Sequence, residues 1–453
     1  MAQTWADLPA YYPEWAAYRR WYLRIPGVQL ALRRHGELVL GTATGISDLG
    51  AGTPLTEEHL FRIASHSKTF AAVLVLRLVE QGRLRLDDPI AAHLPELEGA
   101  AIAGRTLAEL LAHGSGVIRD SEDGDFWQGA RPFPDRDELL AIARADSAAV
   151  LPATEHWKYS NITYGLLGLM LEAVTGATFP ELVRDQIAGP LGLRDTGGEL
   201  DPARAGDYAA GHSALTTGPG RRVLEHLDTR ALAAATGCYA TARDLTRFFS
   251  ALLPGDATLL PDTAQRRQRH PQWEVRTGEQ RYGLGVFLET LAGVELFGHT
   301  GGYPGHITCS YADPKDGWAL SVLTNAIDGA ATPIAQGFFR LLALGRDAGH
   351  APADDAAERF TGRFGSLWGL MDVVRIDGRL FAVDPTDPDP ADDAAPLEVA
   401  GDSSLRIVGG RGGNSYGELM RFDFGPDGAI RSVRGDSGMT MTPWSVPAEE
   451  ARA

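Results

Sequence analysis

The sequence predicts a mixed α/β (α+β) protein. One antiparallel sheet is built from N- and C-terminal strands and flanked by helices, with a helical subdomain inserted, and a small β-barrel follows at the C-terminus. Three observations carry this reading. Strand-like runs occur at 28–32 and 37–40 and again at 282–288, 307–311 and 318–323, while the chain between them is mainly helical. A long apolar run, Val73-Leu74-Val75-Leu76 then Leu78-Val79, follows Ser65-His66-Ser67-Lys68 and predicts a helix over 65–81 buried on most faces. From about residue 358 helical patterns vanish, and short β-like runs alternate with Gly or Asp turns.

In chain order, residues 1–24 are rich in aromatics (Trp5, Tyr11, Tyr12, Trp15, Tyr18, Trp21, Tyr22). Trp15, Tyr18, Trp21 and Tyr22 share helical spacing, which predicts a helix packed on the body rather than an aromatic cage. Gly27 and the His35-Gly36 pair punctuate a strand hairpin. Residues 45–55 read as loop, ending before a helix-start signal at Thr56-Glu57-Glu58. Helices are expected at 106–113, 135–145, 162–174, 179–187 and 241–253, with loops at 117–134 and 195–230. Asp313-Pro314-Lys315-Asp316-Gly317 is the turn between two late strands, and a helix is expected at 334–344. The expected domains are 1–345, a small polar linker over 346–357, and a β-domain over 358–453.

At 453 residues, 44% hydrophobic and 22% charged, the chain has ample material for a core. A formal net charge of −17 opposes binding to nucleic acid or to anionic membrane. Cys238 and Cys309 are too few and too far apart for a disulfide framework or a metal cluster, and reduced core thiols are expected. Residues 1–7 lack a basic stretch followed by an apolar one, and no run reaches the length of a membrane span, so a cytoplasmic location is expected.

Ser65 and Lys68, three apart near the first turn of a helix, share one face, so an amine lies beside a hydroxyl at the positive end of the helix dipole. That arrangement suits an activated serine nucleophile, although a bare S-x-x-K also arises by chance. Two further motifs follow in order: Tyr159-Ser160-Asn161 before a helix and His299-Thr300-Gly301 at a strand end, then Gly302. Together with Ile25-Pro26-Gly27-Val28, Leu110-Leu111-Ala112-His113-Gly114-Ser115-Gly116, Tyr282-Gly283-Leu284-Gly285 and Gly301-Gly302-Tyr303-Pro304-Gly305, these resemble the serine β-lactamase and penicillin-recognising superfamily. The likeness is to its class C-like branch of D,D-peptidases, D-aminopeptidases and β-lactamase-fold esterases, and it covers roughly residues 20–345. The tail resembles the small lipocalin-like β-domains appended to D-aminopeptidases.

The resemblance implies roles. Ser65 forms an acyl-enzyme, Lys68 shares its proton, and Tyr159 relays protons to the leaving group and from water. Asn161, His299, Thr300 and Gly301 bind substrate, and the backbone N–H groups of Ser65 and Gly302 form an oxyanion hole. A phenolate at Tyr159 needs a cation, with Lys68 and His299 the candidates. An N-cap role for Asn161 before Ile162 is compatible with this. His299 replaces the lysine usual in β-lactamases, and its charge is expected to titrate near neutrality. No cofactor or metal is called for. The implied substrate is a small-molecule ester, amide or D-amino-acid derivative, with a true β-lactamase a further alternative. The rivals are a binding or regulatory protein on a disused hydrolase scaffold, and a scaffolding role through the tail.

Other patterns point elsewhere. Gly413-Asn414-Ser415-Tyr416-Gly417 fits G-x-S-x-G, but no helix follows it. Ser67 faces away from Ser65 and is expected to bond locally. His66, His113 and His156 lack metal spacing, and Lys158 reads as solvated. The Asp384–Pro390 stretch is too rich in proline for a calcium loop. The acidic group that a D-aminopeptidase needs for its substrate amine has no sequence signature here.

Overall fold

The strand-like runs from the two ends of the main region pair with each other. In the computed structural model, which describes residues 7–349, 355–410, 415–435 and 438–447, strand Gly27–Arg34 lies antiparallel to Trp318–Thr324, with Leu30 opposite Val322. Around this pair a nine-stranded sheet extends from Thr53–Pro54 and Glu37–Asp48 at one edge. On the other side it runs through His306–Ala312, Val294–Tyr303, Phe287–Leu291 and Gln280–Tyr282 to Trp273–Arg276.

The chain divides into two compact units. The first, residues 25–290 and 295–332, holds the sheet and the inserted helices. Its central helix, His66–Glu80, is buried from His66 through Leu76, and Phe70 stacks on Phe248 at 3.9 Å. Local sequence sets the surrounding helices. Thr106 with Glu109 and Thr178 with Glu181 form capping boxes before Leu107–Leu111 and Phe179–Val183. Asp135 and Thr241 cap Arg136–Arg144 and Ala242–Ser250. Gly285, at φ +72°, lies against the central helix where a Cβ would come within 2.5 Å of the Ala72 Cβ, and its carbonyl accepts from Thr69 Oγ1 at 2.8 Å.

The second unit comprises residues 1–24, 291–294 and 333–453. Its eight strands, from Gly362–Ser366 to Thr440–Pro443, close into a barrel filled by Phe360, Phe364, Leu380, Leu405, Phe422 and Val433. The aromatic helix Asp7–Tyr22 belongs to the same unit as the barrel, together with the helix Ala331–Ala348 from residue 333 on, where Tyr12 OH donates to the Ile334 carbonyl at 2.9 Å. The physical reason is on its surface: Tyr11 donates to Asp372, Arg375 pairs with Asp7, and Tyr18 and Trp21 meet Trp444 edge-on.

Several expectations are corrected. Residues 45–55 are largely strand, since Glu37–Asp48 continues to Asp48 and pairs with Thr53–Pro54. No helix starts at Thr56. The carbonyls of Thr56 and His59 are taken by Gln29 Nε2, and strand Phe61–Arg62 follows. The stretch read as a linker begins as helix, because Ala331–Ala348 continues to Ala348. A short helix, Asp355–Glu358, forms its end, and residues 350–354 lie outside the described residues. Gly413 and Asn414 of the G-x-S-x-G pattern, and residues 1–6, also lie outside them. Cys238 and Cys309 are buried and free. No single helix among the described residues is long and apolar enough to cross a membrane.

Candidate active site

Strand Phe61–Arg62 delivers the chain to Ala64, which holds φ +50° in the left-handed region. For a residue with a Cβ this costs about 1–2 kcal/mol, and it turns the backbone sharply into the central helix. Ser65 is the N-cap of that helix, yet its side chain makes no cap hydrogen bond. Ser65 Oγ is therefore not used by the backbone. Ser65 is half-buried, while Phe61 to Ala64 and His66 to Phe70 are all buried.

Two side chains converge on it. Lys68 is fully buried, with Nζ 3.2 Å from Ser65 Oγ, 2.7 Å from Asn161 Oδ1 and 2.8 Å from the Ala235 carbonyl. Tyr159 OH donates to Ser65 Oγ at 2.9 Å. Burial pushes Lys68 well below the ordinary lysine value. Asp120 opposes that shift and Arg119 adds to it. A neutral amine with its two N–H groups on Asn161 Oδ1 and Ala235 O turns its lone pair to the Ser65 hydroxyl. Burial raises the Tyr159 phenol above its ordinary value, with the Ser65 bond opposing, so the resting group is a phenol.

The Tyr-Ser-Asn turn is fixed by its serine. Ser160, not Asn161, caps the helix Asn161–Thr175, accepting from Thr163 N. This corrects the capping role and leaves the Asn161 amide free to bridge. Its Oδ1 accepts from Lys68, and its Nδ2 donates to Asp120 Oδ1 at 2.7 Å. Asp120 also accepts from Trp127 Nε1 at 2.9 Å, its Oδ2 pairs with Arg119 Nε at 3.3 Å, and its side chain is 16% exposed. Sequence reasoning missed this carboxylate, which lies in the stretch read only as a loop. His113, at φ +60°, accepts from Ser160 N and lies 4.2 Å from the Tyr159 ring, packing the phenol in place.

The third motif differs from expectation. His299 is 2% exposed, and its Nδ1–H donates to the Thr300 carbonyl at 2.6 Å, so Nε2 accepts from Tyr282 OH at 3.1 Å. Burial, the largest cause, holds it well below the usual histidine value. The ring is neutral at neutral pH, which overturns the expected titration there. Thr300 is half-exposed and Gly302 exposed. Gly301 is buried where a Cβ would lie 2.3 Å from the Ile63 carbonyl, so its lack of a side chain lets the strand approach the Ser65 turn. His66 donates from Nδ1 to Ile63 O and accepts at Nε2 from Ser310, its pKa pushed by burial to about 4. Ser67 bonds Ala64 O locally, as its position predicts. Among the described residues no group of three or more His, Cys, Asp or Glu could hold a metal ion.

A sheet of this order, with a serine at the foot of its buried helix, is the architecture of the serine β-lactamase and penicillin-binding superfamily of hydrolases. A family model described as Beta-lactamase matches residues 16–344, and the chain belongs to that family. It is 29% identical over 361 residues to "Esterase EstB" of Burkholderia gladioli, covering 69% of this chain and 89% of the esterase. A D-stereospecific amidohydrolase from Streptomyces sp. superposes with a TM-score of 0.62 at 26% identity, covering 74% of this chain and 98% of that one. The octameric penicillin-binding protein homologue from Pyrococcus abyssi shares the fold over 96% of this chain and 99% of its own, with a TM-score of 0.65 at 20% identity.

Proposed function

We propose that the protein hydrolyses small esters or amides through an acyl-enzyme at Ser65, and that Asp120 recognises acyl donors carrying a cationic amine. The observation that carries the reading is the convergence of Lys68 Nζ (3.2 Å) and Tyr159 OH (2.9 Å) on one serine hydroxyl. As Oγ attacks the carbonyl, the neutral Lys68 takes its proton. The developing oxyanion meets backbone N–H groups of Ser65, in the first helical turn, and of Gly302. The register supports Gly302. Tyr303 opposite His306 closes a two-residue turn, so Gly302, one residue back, directs its N–H away from the paired strand. Each such donor contributes about 3 kcal/mol to the transition state. Tyr159 gives its proton to the leaving group and is reprotonated from Lys68. Water then attacks the acyl carbon: its proton passes by way of Tyr159 to Lys68, neutral again, and is returned to Ser65 Oγ as the acyl bond breaks, which restores the resting site.

Substrate class follows from charge. The neutral His299 offers no fixed cation to a substrate carboxylate, whereas Asp120 places a carboxylate, shared with the mostly exposed Arg119, one amide away from Lys68. The esterase and the D-stereospecific amidohydrolase among the similar proteins support ester and amide donors, the latter of D-configuration. Thr300, half-exposed on its strand beside the site, and the Asn161 amide are the substrate contacts this reading assigns.

The test is a fluorophosphonate followed by intact mass and peptide mapping. An adduct on Ser65 that is absent in Ser65→Ala supports the reading, and no adduct on the wild type favours the binding protein on a disused scaffold. A panel of p-nitrophenyl esters, D- and L-amino-acid p-nitroanilides and a cephalosporin then ranks substrates. Asp120→Asn raises KM for amine-bearing donors by about 10- to 100-fold, the weight of a charge-assisted hydrogen bond, and spares neutral esters. An equal loss on both classes rejects the amine site.

A further inference from the structure

The Lys68 amine owes one of its two N–H partners to a backbone carbonyl, that of Ala235, and the groups that hold that carbonyl in place bear on the base. Ala235 lies in a π-helical turn, Ala233–Gly237, an uncommon conformation that neighbouring groups must hold. Those neighbours centre on Arg62, three residues before Ser65 and fully buried. Its Nη1 donates to Leu227 O at 2.9 Å. Its Nη2 donates to Gly237 O at 3.1 Å and to Glu199 Oε1 at 2.6 Å. The guanidinium lies 4.6 Å from the Tyr303 ring centroid, and Tyr303 OH donates to the same Leu227 carbonyl at 2.9 Å. Glu199 Oε2 accepts from Thr229 N at 3.1 Å and from the Thr229 hydroxyl. A Cβ on Gly237 would come 2.5 Å from that oxygen and 2.6 Å from Thr229 Oγ1, so this residue is glycine where the turn closes on the carboxylate. Just beyond it, Cys238 N donates to Ser67 Oγ at 2.9 Å, and Ile63 N donates to Cys238 O at 3.0 Å.

We propose that Arg62, locked by Glu199, is a positioning residue for the base: it pins both ends of segment 227–237 to the strand that delivers Ser65, so that the Ala235 carbonyl meets Lys68 Nζ. The inference rests on the reading of Lys68 as the proton acceptor. A stability role alone does not account for the geometry. Buried ion pairs stabilise little relative to apolar side chains of similar size. What the fork supplies is direction, two N–H groups aimed at carbonyls on either side of Ala235.

Three variants test this. Arg62→Lys keeps the charge but loses the fork. Arg62→Met/Glu199→Leu removes both charges together, so that no buried charge is left unpaired. Gly237→Ala disturbs the turn without altering charge. Each is measured for thermal midpoint, for fluorophosphonate labelling of Ser65 and for the pH profile of kcat/KM on a neutral ester. Lys68 is faced by Asp120, Arg119, Tyr159, Tyr164, His113 and His299, none of which bonds Arg62 or Glu199, so the profile reports on Lys68 in an otherwise intact setting. The expected result is a fall in kcat/KM of about 10- to 100-fold, carried by kcat with KM nearly unchanged. The acid limb moves to lower pH, because Nζ loses a carbonyl that accepts from the ammonium more strongly than from the neutral amine. A double variant with the wild-type midpoint, rate and acid limb overturns the proposal. If Arg62→Lys fails to fold, the double variant and Gly237→Ala carry the same test, and unshifted limbs in both reject it. A wild type that does not label at Ser65 sinks the reading beneath it and this inference together, whereas a labelled wild type with unshifted variants sinks only this inference.

Discussion

Lys68 in the sheet unit and Arg363 in the barrel unit are both withdrawn from water, and the groups that meet them differ in kind. Lys68 touches an amide oxygen, a carbonyl and a hydroxyl, and the nearest carboxylate, Asp120, reaches it through Asn161. Arg363 bonds both oxygens of Asp372, at 2.6 and 2.7 Å, and Tyr11 OH donates to the same carboxylate at 2.7 Å. Burial lowers both cations. At Arg363 the bonds to Asp372 outweigh it and the net shift is upward, whereas at Lys68 the pull of Asp120 is too weak and the amine falls well below its ordinary value. At the barrel pair the desolvation of the cation is offset by its carboxylate, although burial still holds Asp372 above the ordinary carboxylate value, whereas at Lys68 the desolvation of the amine is left standing.

The sharpest way to break this contrast is to remove each cation. Lys68→Met is expected to lower kcat/KM by about 10³-fold or more, since it removes the proposed general base. Stability should hold or rise, because a desolvated amine is replaced by an apolar chain of similar length. Arg363→Met leaves Asp372 buried and unpaired. It should cost about 3–5 kcal/mol in urea unfolding, with the folded fraction keeping its kcat. Equal destabilisation by the two substitutions would erase the distinction.

The same proton links activity to stability. Between the lowered value of Lys68 in the fold and about 10.4 in the unfolded chain, the unfolded state holds a proton that the folded state does not. Stability therefore rises with pH across that window, by about 1.4 kcal/mol per unit, and has no slope from this group below the folded value. Lys68→Met flattens the slope. Since the base must be neutral, kcat/KM falls as pH drops through the folded value, so the acid limb and the lower end of the stability slope coincide. A limb that lies elsewhere assigns it to another group.

Much of this contrast was legible in the sequence, and only in part. Ser65, Lys68 and Tyr159 announce themselves because their chemistry depends on side-chain type at fixed offsets on a helix or turn. The Ala235 carbonyl has no signature, because any residue supplies one. Asp120 and Arg62 carry no spacing rule, and their partners, Asn161 and Glu199, are 41 and 137 residues away. The charge state of His299 was misread because it depends on burial, which a strand-end motif does not report. In the barrel, the strands rich in β-branched or aromatic residues, such as Leu419–Phe424 and Ile430–Arg434, stand out from pattern. Gly362–Ser366, Ala395–Gly401 and Thr440–Pro443 do not. Glycine and proline weaken their propensity, and pairing with neighbours in a closed barrel makes them strands.

The finest test of the contrast uses two tyrosines, since each places a phenol on a group central to its own unit. Tyr159 OH donates to the Ser65 hydroxyl and Tyr11 OH to the Asp372 carboxylate. Removing the first takes away a proton carrier but leaves no buried charge exposed to a new deficit. Tyr159→Phe should therefore lower kcat/KM by about 10²-fold while urea unfolding shifts by less than about 1 kcal/mol. Removing the second strips a hydrogen bond from a buried carboxylate that keeps both bonds to Arg363. Tyr11→Phe should cost about 1.5 kcal/mol, the low end for a bond to a charged group, and leave kcat unchanged. The two effects differ in the quantity they move, not in the size of the atom removed. If Tyr159→Phe costs stability and spares the rate, the phenol is packing, and Lys68 must carry both proton transfers without it.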